Sequence, residues 1–195
     1  MTDPDSFGRP TLNDVLNYRK VAIAVVATYL GLDDAFVDAV LHDQMDEYLQ
    51  TQVAVRDRLK EERYEDYLSL LSREAMVRYA ATVAETLAHS PESPLTQGRI
   101  MGDTGVLGLC DDVNAVSRVH EIFEFVEWPD SSEEADDILR VVKRQLCNYY
   151  NACAYDLVKG QLLPVIIEAA EELCRKGTLT AARTRALIIA SQQTV

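Results

Sequence analysis

The apolar positions of this chain recur at spacings of three and four over most of its length. No convincing stretch alternates with the period of two that a half-buried strand needs. A first helix is expected from Thr11, which can cap it with Asp14 three residues on, through Val15, Leu16, Val21, Ala22, Val25, Val26 and Tyr29, to a stop at Gly31. Between Val21 and Leu30 the pattern is apolar nearly all round, which predicts a central, buried helix. Asp33 or Asp34 then opens a segment whose helical periodicity persists to His89 without a Gly or Pro. As a single helix it would reach ~80 Å at ~1.5 Å per residue, against a radius of gyration of ~16 Å for a compact chain of this size. The segment from about 33 to 89 must therefore bend or stand out as an arm. Its most polar point, Lys60-Glu61-Glu62-Arg63, is where a bend is expected.

Ser90 to Leu109 interrupts the pattern with Pro91, Pro94, Gly98, Gly102, Gly105 and Gly108. A long loop of this kind reads as a surface crossover, with a ligand-covering loop as the alternative. A helix from Asp111 or Asp112 to Glu127 follows, then a turn at Trp128-Pro129-Asp130. Ser131 with Glu134 forms a second capping box, opening a helix that carries Ile138, Leu139, Val142, Leu146, Tyr149 and Tyr150 towards Val158 and Gly160. Pro164 either sits in a first turn or kinks a continuing helix. Leu163 to Cys174 is apolar on one face, with Glu168, Glu171 and Glu172 expected on the other. Gly177 stops it, and Thr180 caps a last helix with Leu187, Ile188 and Ile189. The expected fold class is all-α: a bundle of about seven helices over residues 11–195, preceded by a flexible tail at 1–10.

Composition narrows the function classes. The 195 residues are 48% hydrophobic, enough for a substantial core. They carry 32 acidic against 19 basic side chains, a formal net charge of −13. That balance argues against nucleic acid, whose binding depends on clustered Lys and Arg at phosphates, and against an anionic membrane surface. The nearest basic clusters, Arg56-Asp57-Arg58 and Arg183-Thr184-Arg185, are short, and the first, diluted by acids, reads as a solvated helical face. No run is long enough to span a membrane. The first residues lack the pattern of a secretory signal, so a cytoplasmic location is expected. Cys110, Cys147, Cys153 and Cys174 form no Cys-x-x-Cys pair and read as reduced thiols, the last three buried.

Candidate chemistry is acidic. Glu121 and Glu124 share a face of one helix, and Glu134 and Asp137 share a face of the next. Folded together at the Trp128–Pro129 turn, these four carboxylates would suit Mg²⁺, a hard cation that takes oxygen ligands, and the ion would activate a water against a nucleotide phosphate. The order E-x-x-E then E-x-x-D resembles the all-α nucleotide pyrophosphohydrolases of the MazG kind, and Glu133-Glu134-Ala135-Asp136-Asp137-Ile138-Leu139 looks like their second helix. The resemblance implies a Mg²⁺-dependent hydrolase with Glu121, Glu124, Glu134 and Asp137 as metal ligands. The bland reading of the same acids, which is preferred, has Glu133, Glu134 and Asp136 complementing a helix dipole while Glu121 and Glu124 face solvent. Asp33 and Asp34 read as caps. Asp38, His42 and Asp46, each four apart, are expected on one face of one helix. Nine tyrosines, among them Tyr64, Tyr67, Tyr149, Tyr150 and Tyr155, suit half-buried seams with the hydroxyl at the rim.

The sequence thus favours a non-enzymatic, cofactor-free module that binds another protein, as an adaptor, regulator or chaperone-like factor. Self-association through the long helical segment is expected. The contact would be apolar at its centre and acidic around it, matching a basic partner. The Mg²⁺-dependent hydrolase is the alternative, and a small-molecule pocket between helices is the third reading.

Overall fold

The computed structural model describes residues 12–89, 113–123 and 133–193, and all regular structure among them is helical. The helices are α1 (Leu12–Tyr29), α2 (Asp34–Leu41), α3 (Met45–Glu62), α4 (Tyr64–His89), α5 (Val113–Phe123), α6 (Glu133–Leu157), α7 (Leu163–Lys176) and α8 (Ala181–Gln192). A π turn, Val158–Leu162, joins α6 to α7, so these two form one long bent helix and the bundle counts seven in the described residues. The expected tail at 1–10, the caps at Thr11 and Ser131 and the loop at 90–109 lie outside the described residues.

Helix α1 is the axis of the molecule, as its all-round apolar pattern requires. Val21, Ala22, Ala24, Val25, Val26 and Ala27 have no accessible surface. It ends in a Schellman motif: Leu32 N–H bonds the Ala27 carbonyl at 2.9 Å, Gly31 N–H bonds that of Thr28 at 3.2 Å, and Gly31 takes φ +73°. The side chain at the following position, Leu32, is buried. Helix α4 is the second buried element and packs most extensively on α1. Its Leu71, Ala75, Val77, Ala80, Ala81, Val83 and Ala84 are fully enclosed. Helices α5 and α6 cover α4, while α2, α7 and α8 cover α1. One continuous core links α1, α2, α4, α5, α6, α7 and α8.

The segment from 33 to 89 breaks twice. One break falls at Arg63, at the polar point the sequence marks, and folds α3 back beside α4. The other falls at His42-Asp43-Gln44, where Asp43 adopts φ +60°. Asp tolerates the left-handed region better than most side chains, and Lys20 pairs with its carboxylate. Asp38, His42 and Asp46 are therefore not on one helical face, contrary to expectation. Asp38 instead accepts a hydrogen bond from the Ala181 N–H at 2.8 Å, joining α2 to the start of α8.

Gly160 does not end α6. The chain widens into the π turn, in which Leu163 N–H reaches the Val158 carbonyl five residues back. Pro164, which has no N–H and would crowd the carbonyl four residues earlier, then enters the first turn of α7. Gly177 (φ +73°) and Thr180, whose Oγ1 accepts the Arg183 N–H at 3.3 Å, stop α7 and start α8 as their residue types predict.

Candidate functional site

Helix α3 differs from every neighbour: across its 18 residues none is buried. Only a narrow seam (Met45, Tyr48, Leu49, Gln52, Arg56, Leu59) is partly covered, at spacings that place it on one side. Two polar anchors hold that seam. At its start, Tyr48 stacks edge-on against Phe36 with ring centroids 5.6 Å apart. Its hydroxyl donates to Asp33 Oδ2 at 3.1 Å, while Asp33 Oδ1 caps α2 through the Phe36 N–H at 2.6 Å. Burial, and then the Asp33 carboxylate, push the Tyr48 hydroxyl pKa well above its ordinary value, so it remains a donor.

The second anchor is an ion network at the junction of α3, α4 and α5. Glu74 on α4 is 5% exposed. Arg56 of α3 bonds its Oε1, and Arg118 Nε of α5 lies 3.0 Å from Oε2, paired by charge but out of line for a hydrogen bond. Arg118 Nη1 continues to Glu121 Oε2 at 2.7 Å, and the Tyr67 hydroxyl donates to Glu121 Oε1. Burial raises the proton affinity of Glu121, but the bonds from Tyr67 and Arg118 outweigh it and hold the carboxyl below its ordinary pKa. Burial, and then Glu121, hold the Tyr67 phenol protonated far above its usual range. Arg56 is therefore not part of a solvated face, and Glu121 does not stand free in solvent.

Of the four predicted metal ligands, Glu121 thus has a hydrogen bond at each oxygen. Asp137 lies on the exposed side of α6 in a surface pair with Arg140 at 3.1 Å. Glu124 and the Glu134 side chain lie outside the described residues. Among the described residues, no group of three His, Cys, Asp or Glu side chains is placed to hold a metal ion.

A second charged cluster joins α7 to α8, and pattern reading missed it. Glu172, expected on the polar face of α7, is buried. Arg183 Nη2 bonds its Oε2 at 2.7 Å and Arg183 Nε lies 3.0 Å from the same oxygen, while Lys176 reaches Oε1 at 2.8 Å. These bonds lower the Glu172 pKa to about 2, Arg183 contributing more than Lys176. Arg185 pairs with Asp34 on α2. Both arginines of the Arg183-Thr184-Arg185 cluster thus carry internal ion pairs. The spacing of four that signals a pair within a helix holds for Glu172 and Lys176, but Arg183 and Arg185 have no such signal, because their partners lie on different helices.

The tyrosines expected in half-buried seams divide instead into buried and exposed ones, Tyr64 among the latter. Tyr67, Tyr150 and Tyr155 are buried, with the Tyr150 hydroxyl 2.7 Å from Ser72 Oγ, whereas Tyr149 is exposed. Of the described cysteines Cys147 is buried and Cys153 partly so, but Cys174 is exposed, contrary to expectation, and accepts a contact from Asn17 Nδ2 at 3.4 Å.

An open groove of ≈ 330 Å³ lies at the α2–α3 corner, lined by Ala35, Asp38, Ala39, Gln44, Glu47, Tyr48 and Thr51. It is shallow and half polar, unlike the enclosed apolar clefts that bury small ligands. The outer side of α3 carries Asp46, Gln50, Val53, Ala54, Asp57 and Glu61, all exposed, with Val53 at 56%. No helix among the described residues is long and apolar enough to cross a membrane. No protein-family model, curated protein or solved structure matches the chain.

Proposed function

We propose that this protein is a non-enzymatic helical docking module, and that α3 presents its outer face to a basic, amphipathic segment of a partner protein. The observation that carries the reading is the exposure of that face on a helix with no buried residue. A helix of this kind gains little from its own core, and in water most helical stability comes from packing an amphipathic face. Val53 and Ala54 form a small apolar centre, flanked by Asp46, Asp57 and Glu61, with Arg58 and Lys60 at its margins. This is an arrangement in which apolar contact gives affinity and charge gives selectivity for a cationic partner. The anchors at Tyr48 and Arg56 keep the helix in place while leaving that side bare.

Affinity purification of the native protein tests the reading. A stoichiometric partner is expected, and the Val53→Glu/Asp57→Lys variant is expected to lose it while keeping its helical circular dichroism. Failure to recover any stoichiometric partner, with pyrophosphate released from nucleoside triphosphates on addition of Mg²⁺, would overturn it in favour of the hydrolase.

A further inference from the structure

A different helix carries a second unpartnered face, with a different charge pattern. In α6 the apolar residues that enter the core are Cys147, Tyr150, Ala154 and Tyr155; from Ala135 to Leu146 none is buried. On the opposite side lie Ile138, Val141, Gln145, Tyr149 and Ala152. Ile138, Val141 and Tyr149 are 49%, 55% and 60% exposed. The steps from Ile138 to Val141 to Gln145 are those of a coiled-coil seam, in heptad letters a, d and a. Asp137 and Arg144, one heptad apart and both exposed, occupy the flanking g positions.

We propose that a second copy of this chain docks antiparallel on this face, forming a two-fold symmetric dimer centred between Ile138 and Val141. Reversing one helix against its copy sets a positions over d positions and g beside g. Ile138 then packs on Val141 of the second copy and Val141 on its Ile138. In the same register Asp137 meets Arg144 of the second copy, and Arg144 meets its Asp137. A two-fold axis generates both pairs at once, because an isologous contact uses one patch twice.

The charges identify the occupant. A uniformly basic segment would face Arg144, and a uniformly acidic one would face Asp137. A partner that carries the two charges in the same order, reversed, satisfies both, and the chain itself is such a partner. Neither the intrahelical Asp137–Arg140 pair nor the interaction that Arg144 already makes within the chain opposes this, since Asp137, Arg140 and Arg144 are all exposed, where such contacts contribute little and exchange readily. With the axis between Ile138 and Val141 the two copies of α6 overlap from Glu133 to Leu146, about four turns, with Tyr149 and Ala152 beyond the contact, so the interface falls short of the ~800 Å² per partner of a standard one. The dimer is accordingly a weak, reversible one.

Sedimentation equilibrium over a broad concentration range tests the proposal. The native chain is expected to dimerise reversibly, and Val141→Glu to remain monomeric with unchanged circular dichroism. Asp137→Arg and Arg144→Asp should each weaken dimerisation about tenfold or more, by setting like charges together. The double variant Asp137→Arg/Arg144→Asp should restore it to near the native value. A monomer at every concentration, or a dimer indifferent to the single charge reversals, would overturn the proposal. It is independent of the docking role of α3: Val53→Glu is expected to leave the dimer intact, and loss of the dimer in that variant would also overturn it.

Discussion

Asp33 shows how much a single side chain can settle in this protein. One of its oxygens caps α2 and the other receives the Tyr48 hydroxyl, so one carboxylate both starts a helix and fixes the next against it. Its capping role is legible because Asp before an apolar periodic run is a start signal. The bond to Tyr48 is not, since it depends on where the chain turns at Asp43. Glu172 is the opposite case. Its position in the α7 pattern suggests solvent, yet three bonds from Arg183 and one from Lys176 enclose it. Because its folded pKa lies below the ordinary value, its contribution to stability is complete above about pH 4.5 and is lost as pH falls to about 2. Glu172→Gln should therefore melt below the native protein at pH 7. The difference should shrink below about pH 4.5 and vanish near pH 2, as followed by thermal unfolding across that range.

At the scale of elements, the helices separate into those held by apolar packing and one held by polar anchors. Helices α1 and α4 are enclosed on most sides, and the burial of α1 follows from sequence because a stripe wider than one face has no stable place at a surface. Helix α3 is attached by Tyr48 and by the Arg56–Glu74 pair. Removing Glu74 strands Arg56, while Arg118 keeps Glu121, and breaking a buried pair in this way loses about 3 kcal/mol. Glu74→Ala is accordingly expected to lower the urea midpoint and to speed amide exchange in α3 and α5, with α1 still the slowest to exchange. Equal acceleration throughout would mean that Glu74 supports the whole core rather than the junction. The bend at Arg63 was readable from a run of four charged residues. The break at Asp43 was not, because a left-handed stop is signalled by Gly or Asn far more reliably than by Asp. The π turn escaped prediction for a related reason. Gly160 and Pro164 both advertise an interruption, and only the packing of α6 and α7 on one core makes continuation by a widened turn the better outcome.

For the whole molecule, charge and packing act in different places. The core is apolar and continuous, while a net charge of −13 is spread over the chain. Such an excess opposes compaction through mutual repulsion. Salt should relieve it, because the screening length falls to ~8 Å at ~0.15 M. The thermal midpoint is thus expected to rise with sodium chloride from low ionic strength to that value, measured at neutral pH. A fall would show that the local pairs, Arg185–Asp34 and Lys20–Asp43 among them, outweigh the general repulsion.

What the sequence determined alone is the helical class, the buried axis at Val21 to Ala27 and the stops at Gly31 and Gly177. Each depends on local backbone preference and on the period of apolar residues, which are properties of neighbours along the chain. What only the tertiary structure decided is which charges face inward. Glu74 meets Arg56 and Arg118, Glu172 meets Arg183, and Glu121 meets Tyr67 because separate helices are brought side by side. No period along one helix encodes a partner on another, so an acid bound for an ion pair and an acid bound for water read alike until the helices pack.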